Sequence, residues 1–414
     1  MPSRGGRCAV VLPRRTEVPI SCSAMAIHPS VLAPFEPPLP LRPQRVMDPY
    51  KPCWCLSGKK WKWCHKNRDA QKPVPLGQAL AAIPAEFTKG YCSHPDAALD
   101  TCSDKIIRAH TVQRAAGLGA VAENGHVISV KKAFRDLPKN AGRLVPGEIG
   151  VQHASTFMGF CNKHDTAMFR AVERGVVALT PYTCFLLAFR ALAFELFEKR
   201  AALRLIEVQR DLDKGRPFEY QCQMQQFLHT KREGMLRALA DLERWKASYD
   251  AAFLEHRFET FRFLGVAFSE TLPVVGCGGF YPEFDFQGQT LQKLGRYGTL
   301  YELVTYNLTV VNGRSVVVLG WNGGDRGPAA AFVRSFANLA ASDKAEAAVR
   351  LGFEHIGNLY MKPGWWQGLA EPTRNSAIAR MPSGGVAVAR RSDCLKPDGL
   401  SYAPGVQTTE ILTN

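Results

Sequence analysis

The sequence predicts a multi-domain α+β protein, and three observations carry that prediction. Cysteines and histidines gather in two clusters between Cys53 and His164. From 182 to 257, apolar residues recur at three- and four-residue spacing, the helical period. After 262 the pattern shifts to Val-, Thr- and Tyr-rich runs separated by turn dipeptides, the signature of strands.

A chain of 414 residues suffices for two or three domains with a sizeable core. Its 46% hydrophobic and 21% charged residues are ordinary for a globular protein. The net charge of +15 is not, and residues 1–75 hold 13 Lys+Arg against 4 Asp+Glu. A basic end suits a polyanion partner such as nucleic acid, ribosome or anionic lipid, or is simply a solvated tail. Twelve cysteines are too few for a disulfide-rich secreted domain, and six of them cluster beside histidines. That distribution points to metal in a reducing compartment. No secretory h-region is present, and the most apolar stretch, 176–197, is interrupted by Pro181, Arg190 and Glu195. It reads as a buried helix and not a membrane span, so the expectation is a cytoplasmic protein with no membrane partner.

Residues 1–46 read as a disordered leader rich in Pro and Arg, with the polyproline-prone run PFEPPLPLRPQ. Met47 directly precedes the first motif and is an alternative start to Met1. Residues 47–75 form a small knuckle with a basic tail. Within them KPCWCLSGKKWKWCHK, residues 51–66, holds three cysteines, one histidine, five lysines and three tryptophans. Cys53, Cys55, Cys64 and His65 match the ligand count of a closed tetrahedral zinc site. Gly58 permits the turn that folds the second pair onto the first. A core so small needs the metal to fold, with on the order of 10 kcal/mol coming from the ion.

Pro52, Cys53, Cys55, Ser57, Gly58, Lys59, Lys60, Lys62, Cys64 and His65 together closely resemble the SEC-C motif. This short zinc module lies at the C-terminus of the bacterial preprotein translocase ATPase and in many other bacterial proteins. Leu56 stands where that family usually has Gly. The resemblance implies docking on a protein partner or ribosome, without chemistry. The lysines with Trp61 and Trp63 suit contact with phosphate and stacking on bases, or the tryptophans merely cover the knuckle.

Residues 76–172 carry a second zinc constellation, Cys92, Cys102, Cys161 and His164, with His94 as a competing ligand. A knuckle, a hairpin and then a helix bearing a C-x2-H pair is the layout of a treble clef with a ββα zinc segment. His110 ends the strand-like run KIIRAH between the ligand pairs, and this arrangement resembles the HNH endonucleases. The resemblance implies His110 as general base, Asp165 as holder of a catalytic Mg²⁺ or Mn²⁺, and Asn124 as the middle polar residue. Ala109 replaces the family's usual acidic residue before the strand histidine, and Phe169 stands one turn after Asp165.

Residues 173–261 form a long antiparallel helical hairpin broken at Gly215-Arg216-Pro217, both helices amphipathic, suited to a spacer or a homodimer interface. Residues 262–370 form an α+β domain, with Asn312-Gly313 as a hairpin turn and 327–350 as one helix. Residues 371–414 show little pattern and read as a disordered tail. Cys184, Cys222 and Cys277 read as buried thiols, and the Gly-rich runs at 276–280 and 320–327 as turns. The leading functional expectation is a zinc-binding, nucleic-acid-associated protein, of metal-dependent endonuclease type in defence or as a toxin. The alternative is a non-catalytic zinc adaptor docking on a protein or ribosome.

Overall fold

A computed structural model describes residues 38–130, 145–173, 177–296, 299–381 and 390–414. After a 3-10 turn at Trp61–Trp63 come α1 (Leu76–Glu86), β1 (Ile106–His110), a π-helical turn (Arg114–Leu118), α2 (Gly119–Val121), β2 (His126–Ser129) and β3 (Gly147–Gly150). Next are β4 (Thr156–Cys161), α3 (Asn162–Glu173), α4 (Pro181–Gln209), a 3-10 turn (Arg210–Asp213) and α5 (Phe218–Leu254). The chain continues with β5 (Phe261–Phe268), β6 (Val274–Phe280), β7 (Val304–Val311), β8 (Arg314–Asn322), α6 (Pro328–Ala337) and α7 (Lys344–His355). It closes with β9 (Leu359–Met361), α8 (Pro363–Gly368), α9 (Glu371–Arg380) and β10 (Thr408–Thr413).

The helical hairpin follows from local signals. Thr180 and Thr183 form a reciprocal capping box, Pro181 takes the first helical turn, and Gly215 at φ 70° reverses the chain before Pro217. The expected amphipathicity holds only in part. From Thr183 to Phe197 nearly every position of α4 is buried, because α5, α3 and the sheet enclose it. Among the described residues no helix is long and apolar enough to cross a membrane.

Eight strands form one antiparallel sheet in the order β10-β5-β8-β7-β6-β9-β2-β3. Both faces are covered. Along β8, Val317 and Leu319 pack against α6 and α7, while Val316 and Val318 face the cluster built on α4. That explains runs such as VVVLG, which lack polar alternation. Asn312 (φ 52°) and Gly313 (φ 80°) make the tight turn between β7 and β8 expected of Asn-Gly. The Asn312 side chain also bonds both backbone groups of Val177 at 3.1 Å.

Several expectations are corrected. Residues 38–46 are not a free leader: Leu41 N–H donates to Gln226 of α5 at 2.8 Å, and Leu41 is buried against the Cys53–Cys64 loop. The rest of the predicted leader, 1–37, lies outside the described residues. The single helix over 327–350 is two, because Asn338 ends α6 and a polar Ser342-Asp343 turn precedes α7. The tail over 371–414 is not patternless coil. It supplies α9, and its β10 pairs along β5 while Tyr402, Ala403 and Val406 enter the core. Nor does the sheet respect the boundary at 172, since β2 and β3 extend it through β9.

A second, two-stranded sheet pairs β1 with β4. Between these strands the chain runs out to β2 and β3 and returns, and its neck is tied by buried polar contacts. Thr111 N–H donates to the Ser155 carbonyl at 2.8 Å. Asn358, next to β9, donates to Thr111 Oγ1 at 2.7 Å and accepts from the Tyr360 hydroxyl at 2.9 Å. This network fixes the β1–β4 segment against the large sheet.

Candidate metal centres

The first centre is built on a tight loop. Cys53 N–H donates to the Lys59 carbonyl at 2.9 Å and Trp61 N–H to the Lys51 carbonyl at 2.9 Å, closing a narrow ladder. Leu56 and Gly58 turn it with φ of 57° and 77°. Leu56, where glycine would be unstrained, accepts a left-handed backbone that costs roughly 1–2 kcal/mol. The Trp61–Trp63 turn then swings Cys64 and His65 back over Cys53 and Cys55.

The four ligand atoms lie within 4.8 Å of one another and all four residues are buried. Cys53 Sγ and Cys64 Sγ each stand 3.2 Å from His65 Nδ1, and Cys55 Sγ stands 3.5 Å from Cys64 Sγ. Ligands of a tetrahedral zinc ion sit about 3.5–3.8 Å apart, given bonds near 2.0–2.3 Å. The donor set and its spacing therefore fit Zn²⁺. Hydrogen bonds among the three thiols pull Cys55 well below its ordinary pKa and push Cys53 well above it, so the crowded sulfurs share a single thiolate.

The second centre joins three elements. Tyr91 and Ser93 N–H groups donate to the Met158 and Gly159 carbonyls at 3.0 and 2.8 Å, which lays Cys92 beside β4. Cys161 ends β4, and His164 sits in the first turn of α3. The sulfurs of Cys161, Cys92 and Cys102 are 3.3, 3.4 and 3.6 Å from His164 Nδ1. This spacing again fits a tetrahedral Cys3His zinc site. Burial opposes charge on Cys161, yet backbone N–H groups of His164 and Ser103 bring its thiol down to about 6. His94 is not one of the four. Its ring stacks on His164 at 4.0 Å, and its Nδ1 accepts the Asp96 N–H at 3.1 Å.

The residues expected to do chemistry belong to neither Cys3His set. Among the described residues the groups able to share a metal are the two Cys3His sets, which include neither His110 nor Asp165. His110 does end β1, half-buried, with Nε2 3.4 Å from the Val151 carbonyl. Burial lowers its pKa. Asp165 is buried in α3, where burial raises its pKa and the Arg190 guanidinium, 3.8 Å away, opposes the rise. Arg190, 1% exposed, also donates to Glu173 at 2.6 Å and lies 3.8 Å over the Phe169 ring. An internal cation thus stands beside the carboxylate expected to hold a metal. Asn124, exposed at φ 50°, serves the turn before β2.

Sequence reasoning missed the groups behind the first centre. His65 Nε2 donates to Asp213 Oδ2 at 3.0 Å, with both side chains buried. Asp213 also accepts from Arg68 Nε at 2.6 Å and Gln225 Nε2 at 2.7 Å. Nothing in RDLDKGRP marks Asp213, because its partner lies 148 residues earlier.

The tryptophans divide by role. Trp54 and Trp61 are buried in the loop, whereas Trp63 is 65% and Tyr50 64% exposed. Lys62 Nζ sits 4.0 Å from the Tyr50 ring and 4.8 Å from the Trp63 ring, and Lys59 and Lys60 are exposed beside them. No protein-family profile, curated protein or solved structure matches this chain.

Proposed function

We propose that this chain is a zinc-stabilised, nucleic-acid-associated protein that performs no hydrolysis at either zinc. In this reading residues 52–65 are a SEC-C-type module and the Cys92–His164 centre is the structural zinc of a treble clef. The carrying observation is the exposed Tyr50 and Trp63 interleaved with Lys59, Lys60 and Lys62. Lysines neutralise phosphates, and flat rings stack on unpaired bases. Four protein ligands at each zinc leave no position for an activated water. Arg190 beside Asp165 supplies the positive charge that a catalytic Mg²⁺ or Mn²⁺ would bring.

The test is fluorescence anisotropy with labelled single-stranded RNA and DNA over a range of salt. Trp63→Ala is expected to weaken binding by about 1–3 kcal/mol. Lys59→Ala, Lys60→Ala and Lys62→Ala combined should flatten the log–log salt slope by roughly 2, at about 0.7 for each phosphate no longer neutralised. Absent or salt-insensitive binding would remove this reading and leave docking on a protein partner. The same nucleic acids, incubated with Mg²⁺ or Mn²⁺, should remain intact. Cleavage that disappears in His110→Ala would replace the non-hydrolytic reading with a nuclease.

A further inference from the structure

We propose that Asp213, on the turn of the helical hairpin, is the orienting carboxylate of the first metal centre. Metal binding and the docking of residues 51–73 onto that turn are then one coupled event. The inference stands apart from nucleic-acid binding and does not depend on it.

A histidine that ligates through Nδ1 must carry its proton on Nε2, and the acceptor facing Nε2 sets both tautomer and ring angle. Here that acceptor is Asp213 Oδ2, at 3.0 Å. The carboxylate has no solvent exposure, so it needs a full set of partners. His65, Arg68 and Gln225 provide them, from both sides of the interface.

The hairpin turn also grips the backbone of the ligands. Arg210 Nη1 donates to the Cys55 carbonyl at 3.0 Å. Arg68 returns the contact, donating Nη2 to the Arg210 carbonyl at 2.7 Å and Nη1 to the Cys64 carbonyl at 3.3 Å. Gly215 N–H donates to the Arg68 carbonyl at 2.9 Å. Trp54 lies with its ring 4.4 Å from His65 and 6.1 Å from Phe218 of α5.

Charge closes the account. Three thiolates around a divalent ion leave one net negative charge, and Asp213 adds a second. The buried guanidinium groups of Arg68 and Arg210 lie against that charge, and each is also paired at 3.1 Å with a partly exposed carboxylate, Asp211 and Glu207 respectively. The loop is therefore a composite site completed by the hairpin, not a free-standing knuckle.

The experiment uses the full chain loaded with zinc and follows transfer to a colorimetric chelator. The second centre is an internal reference. In Asp213→Asn, one zinc should be held 10- to 100-fold more weakly, as is typical when an outer-shell partner is removed, and the other should be unchanged. Asp211→Asn is the control: Asp211 also accepts from Arg68, at 3.1 Å, but is not His65's partner. It should release neither zinc early. Limited proteolysis of Asp213→Asn should open new cuts between 66 and 75 while the long helices resist. Two zincs held as in the native chain would overturn the proposal. Should Asp213→Asn lose its far-UV helical signal, Gln225→Ala serves instead, since it removes one donor and keeps the carboxylate. Faster release of the same single zinc supports the inference, and native release overturns it.

Discussion

Arg190 is the residue on which the second centre's surroundings turn. Its guanidinium is buried between Asp165 and Glu173 and stacked on Phe169. Removing one partner of a buried pair leaves the other charge uncompensated, at a cost of about 3–5 kcal/mol. Arg190→Met should lower urea-unfolding stability by about 3 kcal/mol, and adding Asp165→Asn should recover part of the loss. An unchanged midpoint would show that the pair carries no weight. His355 supplies a pH dependence. Its ring lies 4.4 Å from Phe280, and burial with the nearby Arg390 holds its pKa well below the usual imidazole value. As pH falls below about 6.5 the unfolded chain takes up this proton first, so stability declines on that side and is unaffected above it. His355→Phe should flatten the fall in melting temperature between pH 7 and pH 5, and an unaltered pH profile would exclude His355 as its source. At this scale the sequence was informative about ligands. All eight zinc-type residues converge as two sets, because sulfur and imidazole at short spacing have few other uses. Asp213 and Arg190 were illegible, because a charged residue on a helix or turn looks solvated until its distant partner is known.

Among the elements, the helical hairpin was legible from period and from the Gly215-Arg216-Pro217 break, as was the Asn312-Gly313 turn. β10 was not. TTEILT is short, mostly polar and at a sheet edge, so neither alternation nor apolar content distinguishes it from coil. The hairpin turn makes a sharper prediction. Gly215 has φ 70°, and a Cβ there would stand 2.7 Å from the Gln71 carbonyl and 2.6 Å from Pro73. Gly215→Ala should therefore cost more than the roughly 1–2 kcal/mol of the left-handed backbone alone. It should also loosen residues 66–73, read as faster amide exchange there. A variant with native stability and protection would mean that this close approach is not maintained in solution.

Over the whole molecule, what the sequence concealed is which segments meet. A reading by segments divides the chain at 172 and 262, whereas the sheet gathers β2 and β3 from before the first boundary and β10 from the far end. Non-local pairing leaves no local trace, and strands covered on both faces lose the alternation that would reveal their register. The core is correspondingly shared. One face of the sheet packs on α6, α7 and the C-terminal segment, the other on α4 and the β1–β4 unit.

This arrangement imposes a schedule on a chain made from one end. Both ligand pairs of the second centre, Cys92 with Cys102 and Cys161 with His164, are synthesised by residue 164, but β9, the neighbour that β2 requires, is not complete until residue 361. For nearly half of translation the excursion between β1 and β4 has nowhere to dock, and a captured ion would keep its two ends together meanwhile. Ribosome-stalled chains ending near residue 300 should already hold that zinc, with the excursion still open to protease; a protected excursion at that length would refute the order. Metal supply would then limit how much correctly assembled protein leaves the ribosome, before it has any bearing on how long the finished molecule lasts.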